Sequence, residues 1–156
     1  MSVLFLDLDG VLVTSSSRRA GGRNTSMDPA KVAMLDELVV EVGASIVVSS
    51  TWRSSHDMPG ILLAQWPGIP LHQDWRTGHW ADIAPDATNA FRGIEIADWL
   101  ARHPEVSTYV VLDDETGFLP DQVANVVMTE TDRGLEHQHI ALLRHRLGGS
   151  SLTILR

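Results

Sequence analysis

The sequence contains no cysteine and no long apolar segment, and each absence excludes a class of protein or site. Without cysteine there are no disulfides, thiolate zinc sites or cysteine nucleophiles, and the composition fits a reducing compartment. No apolar run approaches the roughly 18 residues that span a bilayer. Asp7 interrupts the N-terminal run at residues 3–6 before it is long enough for a signal-peptide core. We therefore expect a cytoplasmic protein with no membrane partner.

Basic residues are few, and almost all of them are arginine. Lysine and arginine together number 12 against 20 acidic residues, which gives a formal net charge of −8, and Lys31 is the only lysine. This balance argues against a broad nucleic-acid-binding face, because such a face needs clustered lysine and arginine. It permits a small anionic substrate. Any chemistry that requires a lysine must use Lys31.

The length and the pattern of apolar residues are those of one α/β domain. With 156 residues and no internal repeat or linker, we expect a single domain over residues 1–156. Short apolar runs predict buried strands at residues 3–8, 46–48, 69–71, 108–112 and 125–128. Helical spacing predicts helices at residues 29–42, 57–66, 88–103 and 135–147. The alternation predicts a three-layer α/β/α, Rossmann-like fold with a parallel sheet.

Helix-capping residues support two of these predicted helices. Asp28 and Pro29 form an N-cap and first-turn pair, and Gly43 ends the same segment. The final helix is followed by Gly148 and Gly149, which favour termination.

Polar side chains follow three of the predicted strands at the point where each strand ends. Asp7 and Asp9 end the first strand, residues 49–51 the second, and Asp113 with Asp114 another. The carboxyl ends of parallel strands meet at one edge of a sheet, so these groups converge there. Clustered carboxylates repel one another unless a cation neutralises them, and a site of oxygen ligands favours Mg²⁺. Asp7 is then a candidate nucleophile toward phosphorus, with Asp9 as its acid and base.

Three motifs resemble those of the haloacid-dehalogenase-like (HAD) superfamily. Residues 5–12, Phe-Leu-Asp-Leu-Asp-Gly-Val-Leu, are similar to its first motif, a strand followed by D-x-D-G-[TV]. Residues 47–51 resemble its second motif, and residues 110–114 its fourth. The order and spacing match over nearly the whole chain. The resemblance implies a HAD-like fold, and the short segments between the motifs leave no room for a large cap domain, so we expect a minimal cap and a comparatively open site.

The same resemblance implies roles for individual residues. Asp7 is the expected nucleophile, and Asp9 is the expected general acid and base. The expected Mg²⁺ ligands are Asp7, Asp9 through its backbone carbonyl, Asp113 and Asp114. Ser50 is the choice for binding the transferring phosphoryl group, with Ser49 and Thr51 as register alternatives. Gly10, Thr51 and Arg53 are expected to bind substrate.

The third motif departs from the family pattern. The family usually has a lysine there, which stabilises the nucleophile and the phosphoryl oxygens. Lys31 lies before the second motif and is badly placed for this role. Arg92, near the start of the predicted helix at 88–103, has about the right position and can supply the charge. We expect Arg92 to act in catalysis, or else to pair with Glu95 on the helix surface.

Three further groups of residues have two interpretations each. The segment at residues 14–27, with Arg18, Arg19 and Arg23, is either a flap that holds an anionic substrate or a mobile solvated loop. A group of aromatic and basic residues either holds a base or sugar or packs in the ordinary way; these are Trp66, Trp75, Trp80, His72, Arg76 and His79. A solvated helix face explains His137, His139 and His145 better than a metal site does, because their spacing is not that of H-E-x-x-H.

These observations predict a Mg²⁺-dependent phosphatase that works through an aspartyl phosphate. The expected partner is a phosphorylated substrate, either a small phosphate ester or a nucleic-acid terminal phosphate, since the residues 50–53 are similar to those of HAD domains associated with RNA repair. One alternative is a non-catalytic HAD-like scaffold that binds phosphate or a partner. The other is a receiver-like phosphoacceptor module, which would need an acid at the end of the second strand and a late lysine.

Overall fold

A single parallel sheet organises the protein in the computed structural model, which describes residues 1–54 and 57–148. Its five strands are β1 (Ser2–Leu6), β2 (Ser45–Val48), β3 (Leu71–Arg76), β4 (Thr108–Asp113) and β5 (Val126–Met128). Their order across the sheet is β3-β2-β1-β4-β5, and every neighbouring pair is parallel. The strand order reverses direction around β1. The carboxyl end of β1 is therefore the expected place for a ligand site.

Helices cover both faces of the sheet and confirm the predicted three-layer α/β/α fold. They are α1 (Ser15–Gly21), α2 (Pro29–Val42), α3 (Met58–Gln65), α4 (Trp80–Ile83), α5 (Phe91–Ala101) and α6 (His137–Arg146). Side chains of α2, α3 and α6 share one apolar core with one face of the sheet. Ile96 and Trp99 of α5 pack on the other face. No helix within the described ranges has the length and apolar character needed to cross a membrane.

The alternation of side chains along the strands divides the core in two. Leu4 and Leu6 of β1 face the α2 side, whereas Val3 and Phe5 face α5. Successive strand residues point to opposite faces, so the next residue, Asp7, falls on the α5 side. The pairing Leu6↔Leu112 places Asp113 beside Asp7 in the neighbouring strand. The sequence thus directs both acids toward the helix that carries Arg92.

The predicted elements differ from the observed ones mainly where the sequence is polar. The strand predicted at 69–71 instead starts at Leu71 and extends through the polar segment to Arg76, on the sheet edge. The helix predicted at 88–103 starts only at Phe91. Helices α1 and α4 were not predicted. Gly148 has a positive φ after α6, whereas Gly149 lies outside the described residues. That residues 1–156 form a single domain stays a prediction.

Candidate active site

The carboxyl ends of β1 and β4 bring two acids together. The hydrogen-bond ladder of β1 continues past its last assigned residue, since the Asp7 N–H donates to the Leu112 carbonyl at 3.0 Å. Asp7 is 4% exposed, and Asp113 is fully buried. The apolar strand residues Phe5, Leu6 and Leu112 force these carboxylates into the interior because they bury the strands on both faces.

A third carboxylate completes what we call the acid cluster, Asp7, Asp113 and Asp114. One ligand oxygen of each acid lies within 4.8 Å of the others. The Asp114 carboxylate packs directly against Gly10. A Cβ added at Gly10 would lie 2.0 Å from Asp114 Oδ2, and the φ angle of Gly10 is +77°. Only glycine fits both conditions. The predicted substrate-binding role of Gly10 stays a prediction, whereas its contact with Asp114 explains why a glycine stands there.

The acid cluster has the properties of a divalent-cation site. Burial, and then the negative charge of Asp113, raises the pKa of Asp7 to about 9, although Arg92 opposes the shift. Burial likewise raises the pKa of Asp113 to about 6. Among the described atoms, Asp113 Oδ2 is buried without a hydrogen-bond partner. A hard cation would satisfy this oxygen and neutralise the charge, so the residues fit the divalent metal that HAD domains typically use.

Arg92 extends from the first turn of α5 to the acid cluster. Its Nε lies 3.4 Å from Asp113 Oδ2, and its Nη2 lies 3.9 Å from Asp7 Oδ1, with the side chain 11% exposed. The guanidinium thus contacts the cluster, and Glu95 is engaged elsewhere. Lys31 donates from Nζ to the Leu135 carbonyl at 2.8 Å. The catalytic role of Arg92 stays a prediction.

Asp9 lies outside the acid cluster and is held by two partners. Arg18 Nη2 donates to Asp9 Oδ1 at 2.7 Å, and Trp52 Nε1 donates to Asp9 Oδ2 at 3.0 Å. The Asp9 side chain is 44% exposed. The two donors orient a carboxylate that solvent can reach. Its predicted roles, acid and base through the side chain and metal ligand through the backbone carbonyl, stay predictions.

The second motif brings two buried serines to the end of β2. The Ser49 N–H donates to the Leu6 carbonyl at 3.0 Å, so Ser49 pairs with the strand that carries Asp7. By strand alternation Ser49 falls on the same face as Asp7, and its Oγ is buried without a partner among the described residues. Ser50 Oγ accepts from the Trp52 N–H at 3.2 Å. Thr51 is exposed and begins a short 3₁₀ turn. All three register alternatives remain open.

Arg53 points into the protein. Its guanidinium donates to the carbonyls of Ser50 at 2.9 Å and Gly78 at 3.3 Å, and it forms an ion pair with the buried Glu95. Burial, opposed by the charge of Glu95, lowers the pKa of Arg53. Substrate binding by Arg53 stays a prediction. The geometry favours a positioning role, because Arg53 joins the second motif to α5.

The segment at residues 14–27 contains α1 and is tied to the rest of the fold. Thr14 and Ser17 form a capping box that starts this helix. Gln65 of α3 accepts from the Met27 N–H at 2.7 Å and donates to the Thr25 carbonyl at 2.9 Å. Arg18 reaches Asp9, whereas Arg19 and Arg23 are exposed. The segment thus contributes one arginine to the site.

The remaining singled-out residues separate into packing residues and cleft residues. Trp66 is buried and donates to Asp36. The prediction of a solvated face for the α6 histidines is wrong for His139, which is 5% exposed and accepts the Glu136 N–H through Nδ1 at 2.9 Å. His79, Trp80 and Arg76 line a cleft beside Arg92.

Sequence reasoning missed the partners that position the predicted residues. Trp52 and Glu95 are the clearest cases, because each fixes a predicted site residue through a hydrogen bond. Trp52 directly follows the second motif, residues 47–51, so proximity to a motif was a signal. Glu95 was expected only as a possible partner of Arg92, and nothing in the sequence indicated its pairing with the distant Arg53.

The parallel sheet order, the D-x-D-G-V strand end and the opposing Asp-Asp strand end define a HAD-type domain. A family model described as "HAD domain in Swiss Army Knife RNA repair proteins" matches residues 3–140. The chain belongs to this family, which supports a hydrolase of the HAD type. Searches of curated proteins and of solved structures found no match.

Proposed function

We propose that the protein is a Mg²⁺-dependent phosphatase that forms an aspartyl phosphate on Asp7. One observation carries the proposal: the three carboxylates of the acid cluster lie within 4.8 Å of one another, and Arg92 lies within 4 Å of two of them. This arrangement combines a nucleophile with the positive charge that a phosphoryl group requires.

In the first step, an Asp7 carboxylate oxygen attacks the phosphorus of the substrate. A bond forms between that oxygen and phosphorus, and the bond from phosphorus to the leaving oxygen breaks. Asp9 donates its proton to the leaving oxygen, so the product departs as an alcohol. The donors Arg18 and Trp52 then hold the resulting Asp9 carboxylate in one orientation for the second step.

In the second step, water hydrolyses the aspartyl phosphate. Asp9, now ionised, accepts a proton from the water, whose oxygen bonds to phosphorus. The bond between Asp7 and phosphorus breaks, and inorganic phosphate leaves. Both residues return to their starting states, so one pair of carboxylates serves both steps.

Asp7, Asp113 and Asp114 are the side chains that would hold Mg²⁺. Bound there, the ion supplies positive charge that neutralises the acid cluster and polarises the phosphoryl oxygens. Arg92 adds charge on the α5 side through its contacts with Asp7 and Asp113. Arginine offers several donors to phosphate oxygens where the wider superfamily uses lysine.

The family description favours one class of substrate. Its members are domains of RNA repair proteins, and repair of RNA ends involves terminal phosphates. We therefore include the terminal phosphate of a nucleic acid, as well as small phosphate esters, among the proposed substrates. A cytoplasmic location remains a prediction from composition.

The proposal is tested by phosphate release from small esters and from 3′- or 5′-phosphorylated oligonucleotides, with Mg²⁺ and with a chelator. Asp7→Asn should lower kcat by at least about a thousandfold, because loss of a nucleophile removes the covalent route. Mg²⁺ should also raise the melting temperature of the wild type, since a ligand that binds the folded state stabilises it.

Asp86→Asn is the matched control, because Asp86 is an exposed aspartate outside the site. It should keep both the activity and the Mg²⁺ response. Activity that survives in Asp7→Asn would exclude Asp7 as the nucleophile. No turnover of any ester would favour the non-catalytic scaffold.

A further inference from the structure

A cleft of about 760 Å³ adjoins the acid cluster. We call it the α4–α5 cleft; its lining includes Thr51, Arg76, Trp80, Phe91, Arg92 and Glu115. Arg92 belongs both to this lining and to the ion pairs with Asp7 and Asp113. The cleft is therefore continuous with the candidate site, and its size is that of a pocket for a small organic ligand.

Aromatic rings form one wall of the α4–α5 cleft. The rings of Trp80 and Phe91 stack with centroids 4.2 Å apart and planes at 29°. His79 stacks on Trp80 at 5.6 Å. Phe91 is 37% exposed, although it is a large apolar residue. A planar ring that is supported from behind and open to solvent is a stacking surface for another planar group.

Buried polar contacts hold this wall in position. The backbone N–H of Trp80 donates to Glu95 Oε2 at 2.9 Å, and the same carboxylate pairs with Arg53. Ala90, just before Phe91, has φ of +56° and is the only non-glycine residue with a positive φ in the described part of the chain. Such strain is typical of functional sites, where surrounding contacts enforce it. Here it sets the start of α5, and with it the directions of Phe91 and Arg92.

The lining of the cleft contains as many acidic as arginine side chains and so carries no net positive charge, but Arg92 and Arg76 supply two positive groups for an anionic ligand that carries a planar group. Arg92 marks the phosphate end, where it contacts the acid cluster. Arg76 is exposed on the same lining, where its Nη1 donates to the Arg53 carbonyl at 3.1 Å, and it places a second positive charge there. A sugar phosphate or phosphoserine has the anion but no extended planar face. A nucleotide has the phosphate and the base together.

We propose that the α4–α5 cleft is a nucleoside subsite, in which the base of the nucleotide that bears the scissile phosphate stacks on Phe91, backed by Trp80. The position of the phosphate rests on the function proposed above. The recognised chemistry is a nucleoside with a terminal phosphate monoester, whether free or at a strand end. Phe91 is thus a specificity-determining residue.

The test compares phosphorylated hexanucleotides that carry a normal terminal base with the same hexanucleotides that have an abasic terminal residue. With Mg²⁺, kcat/KM should favour the base-bearing end roughly tenfold, the size of one stacking interaction. Phe91→Leu keeps apolar bulk but removes the ring, and should bring this ratio close to one. Phe91→Tyr should retain most of it. Leu63→Ala, which alters an exposed apolar side chain on α3, should leave the ratio unchanged.

A base preference that is absent from the wild type, or that persists in Phe91→Leu, would overturn the subsite. A second comparison, between a nucleoside monophosphate and ribose 5-phosphate, tests the same base preference in free molecules. A preference for the base-bearing molecule in the mononucleotide comparison alone identifies a free nucleotide as the ligand. The same preference in the hexanucleotide comparison identifies a strand end. Either result supports the subsite.

Binding separates this inference from the proposed function. Fluorescence anisotropy measures the affinity of labelled hexanucleotides for Asp7→Asn, with and without Phe91→Leu. Base-dependent binding that requires Phe91, without turnover by the wild type, would support the subsite and reject the phosphatase. Turnover by the wild type without a base preference would support the phosphatase and reject the subsite.

Discussion

Helix α5 has a cluster of ionisable side chains near each end, and the two clusters differ in how their charges are satisfied. The first turn carries Arg92, which contacts the acid cluster. The residues that follow the last turn, Arg102 and His103, both contact Asp74 of β3. Ten residues separate Arg92 from Arg102, so the clusters lie roughly 15 Å apart along the helix.

The cluster at the C-terminal end, which we call the histidine cluster, is His72, Asp74, His103 and Glu105. Three of its members, His72, His103 and Glu105, are close enough to hold a cation. Its polar groups already have partners: His103 Nε2 lies 2.8 Å from Asp74 and His103 Nδ1 lies 3.0 Å from Glu105. His72 Nδ1 accepts from the Asp74 N–H.

The pKa values of carboxylates in the two clusters shift in opposite directions. Partial burial alone would raise the pKa of Asp74, but hydrogen bonds from His103 and Arg102 lower it below its ordinary value. Burial and neighbouring acids raise the pKa values of Asp7 and Asp113. Proximity of potential ligands is thus common to both clusters. Buried charge without sufficient partners belongs to the acid cluster, and that difference points to a ligand there.

The largest expected effect separates the two clusters by activity. Asp113→Asn should lower Mg²⁺-dependent phosphate release at least about a hundredfold, since even residues that only orient a metal ligand are worth ten- to a hundredfold. Asp74→Asn should change it by less than about twofold, because distant sites act independently. Steady-state kinetics of both purified variants, with circular dichroism to check folding, makes the comparison. Equal losses would remove the distinction between the clusters.

The two serines extend the comparison to hydroxyl groups. Ser49 Oγ resembles Asp113 Oδ2 in being buried without a hydrogen-bond partner in the described part of the chain, whereas Ser50 Oγ accepts a backbone hydrogen bond. If Ser49 binds the phosphoryl group, Ser49→Ala should lower kcat/KM roughly ten- to a hundredfold, the worth of a hydrogen bond to a charged group. Ser50→Ala should then have the smaller effect. The opposite ranking would restore Ser50 as the phosphoryl ligand.

Asp9 resembles Asp74 in accepting from two side-chain donors, but it lies beside the other cluster. Trp52→Phe removes one donor and should lower kcat roughly tenfold while KM changes little, because the group acts by orienting Asp9. Trp75→Phe is the matched control, since Trp75 also packs on the core and does not contact Asp9. A change in KM alone would assign Trp52 to substrate binding.

The smallest expected effect concerns acid stability. Because the pKa of folded Asp74 lies below the unfolded value of 3.8, the folded state binds fewer protons there and the unfolded state gains on acidification. The stabilisation is complete above pH 3.8 and is lost as the pH falls through the folded pKa. This stabilisation should amount to less than about 1 kcal/mol, since the ion pair of Asp74 with Arg102 is exposed. Urea unfolding of wild type and Asp74→Asn at pH 7 and pH 3 should show the difference shrinking with acidification.

Most of the fold followed from local patterns. Helix α2 matches its predicted bounds because Asp28, Pro29 and Gly43 are capping signals that act within a few residues. The β-branched and leucine-rich runs of β1, β2 and β4 predict buried strands for the same reason. Strand β3 was misplaced because Leu71–Arg76 is polar, and pairing with β2 at the sheet edge decides its conformation.

The candidate site likewise has features that local sequence patterns predict and features that only packing decides. Strand alternation explains why Asp7 and Asp113 face α5, and the helix position of Arg92 made it a candidate. The hydrogen bonds to Asp9 and the ion pair of Arg53 with Glu95 join residues that are 9 to 43 positions apart. No periodic pattern marks such pairs, since each depends on how separate elements pack.

The sequence by itself determined the class of domain, the strands that end in acids and the scarcity of lysine. These properties depend on residue type and on neighbours within a few positions. Only the tertiary structure decided which acids share a site, which are already neutralised, and that Phe91 and Trp80 form the wall of a cleft beside Arg92. The reason is physical: desolvation, ion pairing and stacking depend on distances across the fold, and these are set when helices from distant parts of the chain pack on one sheet.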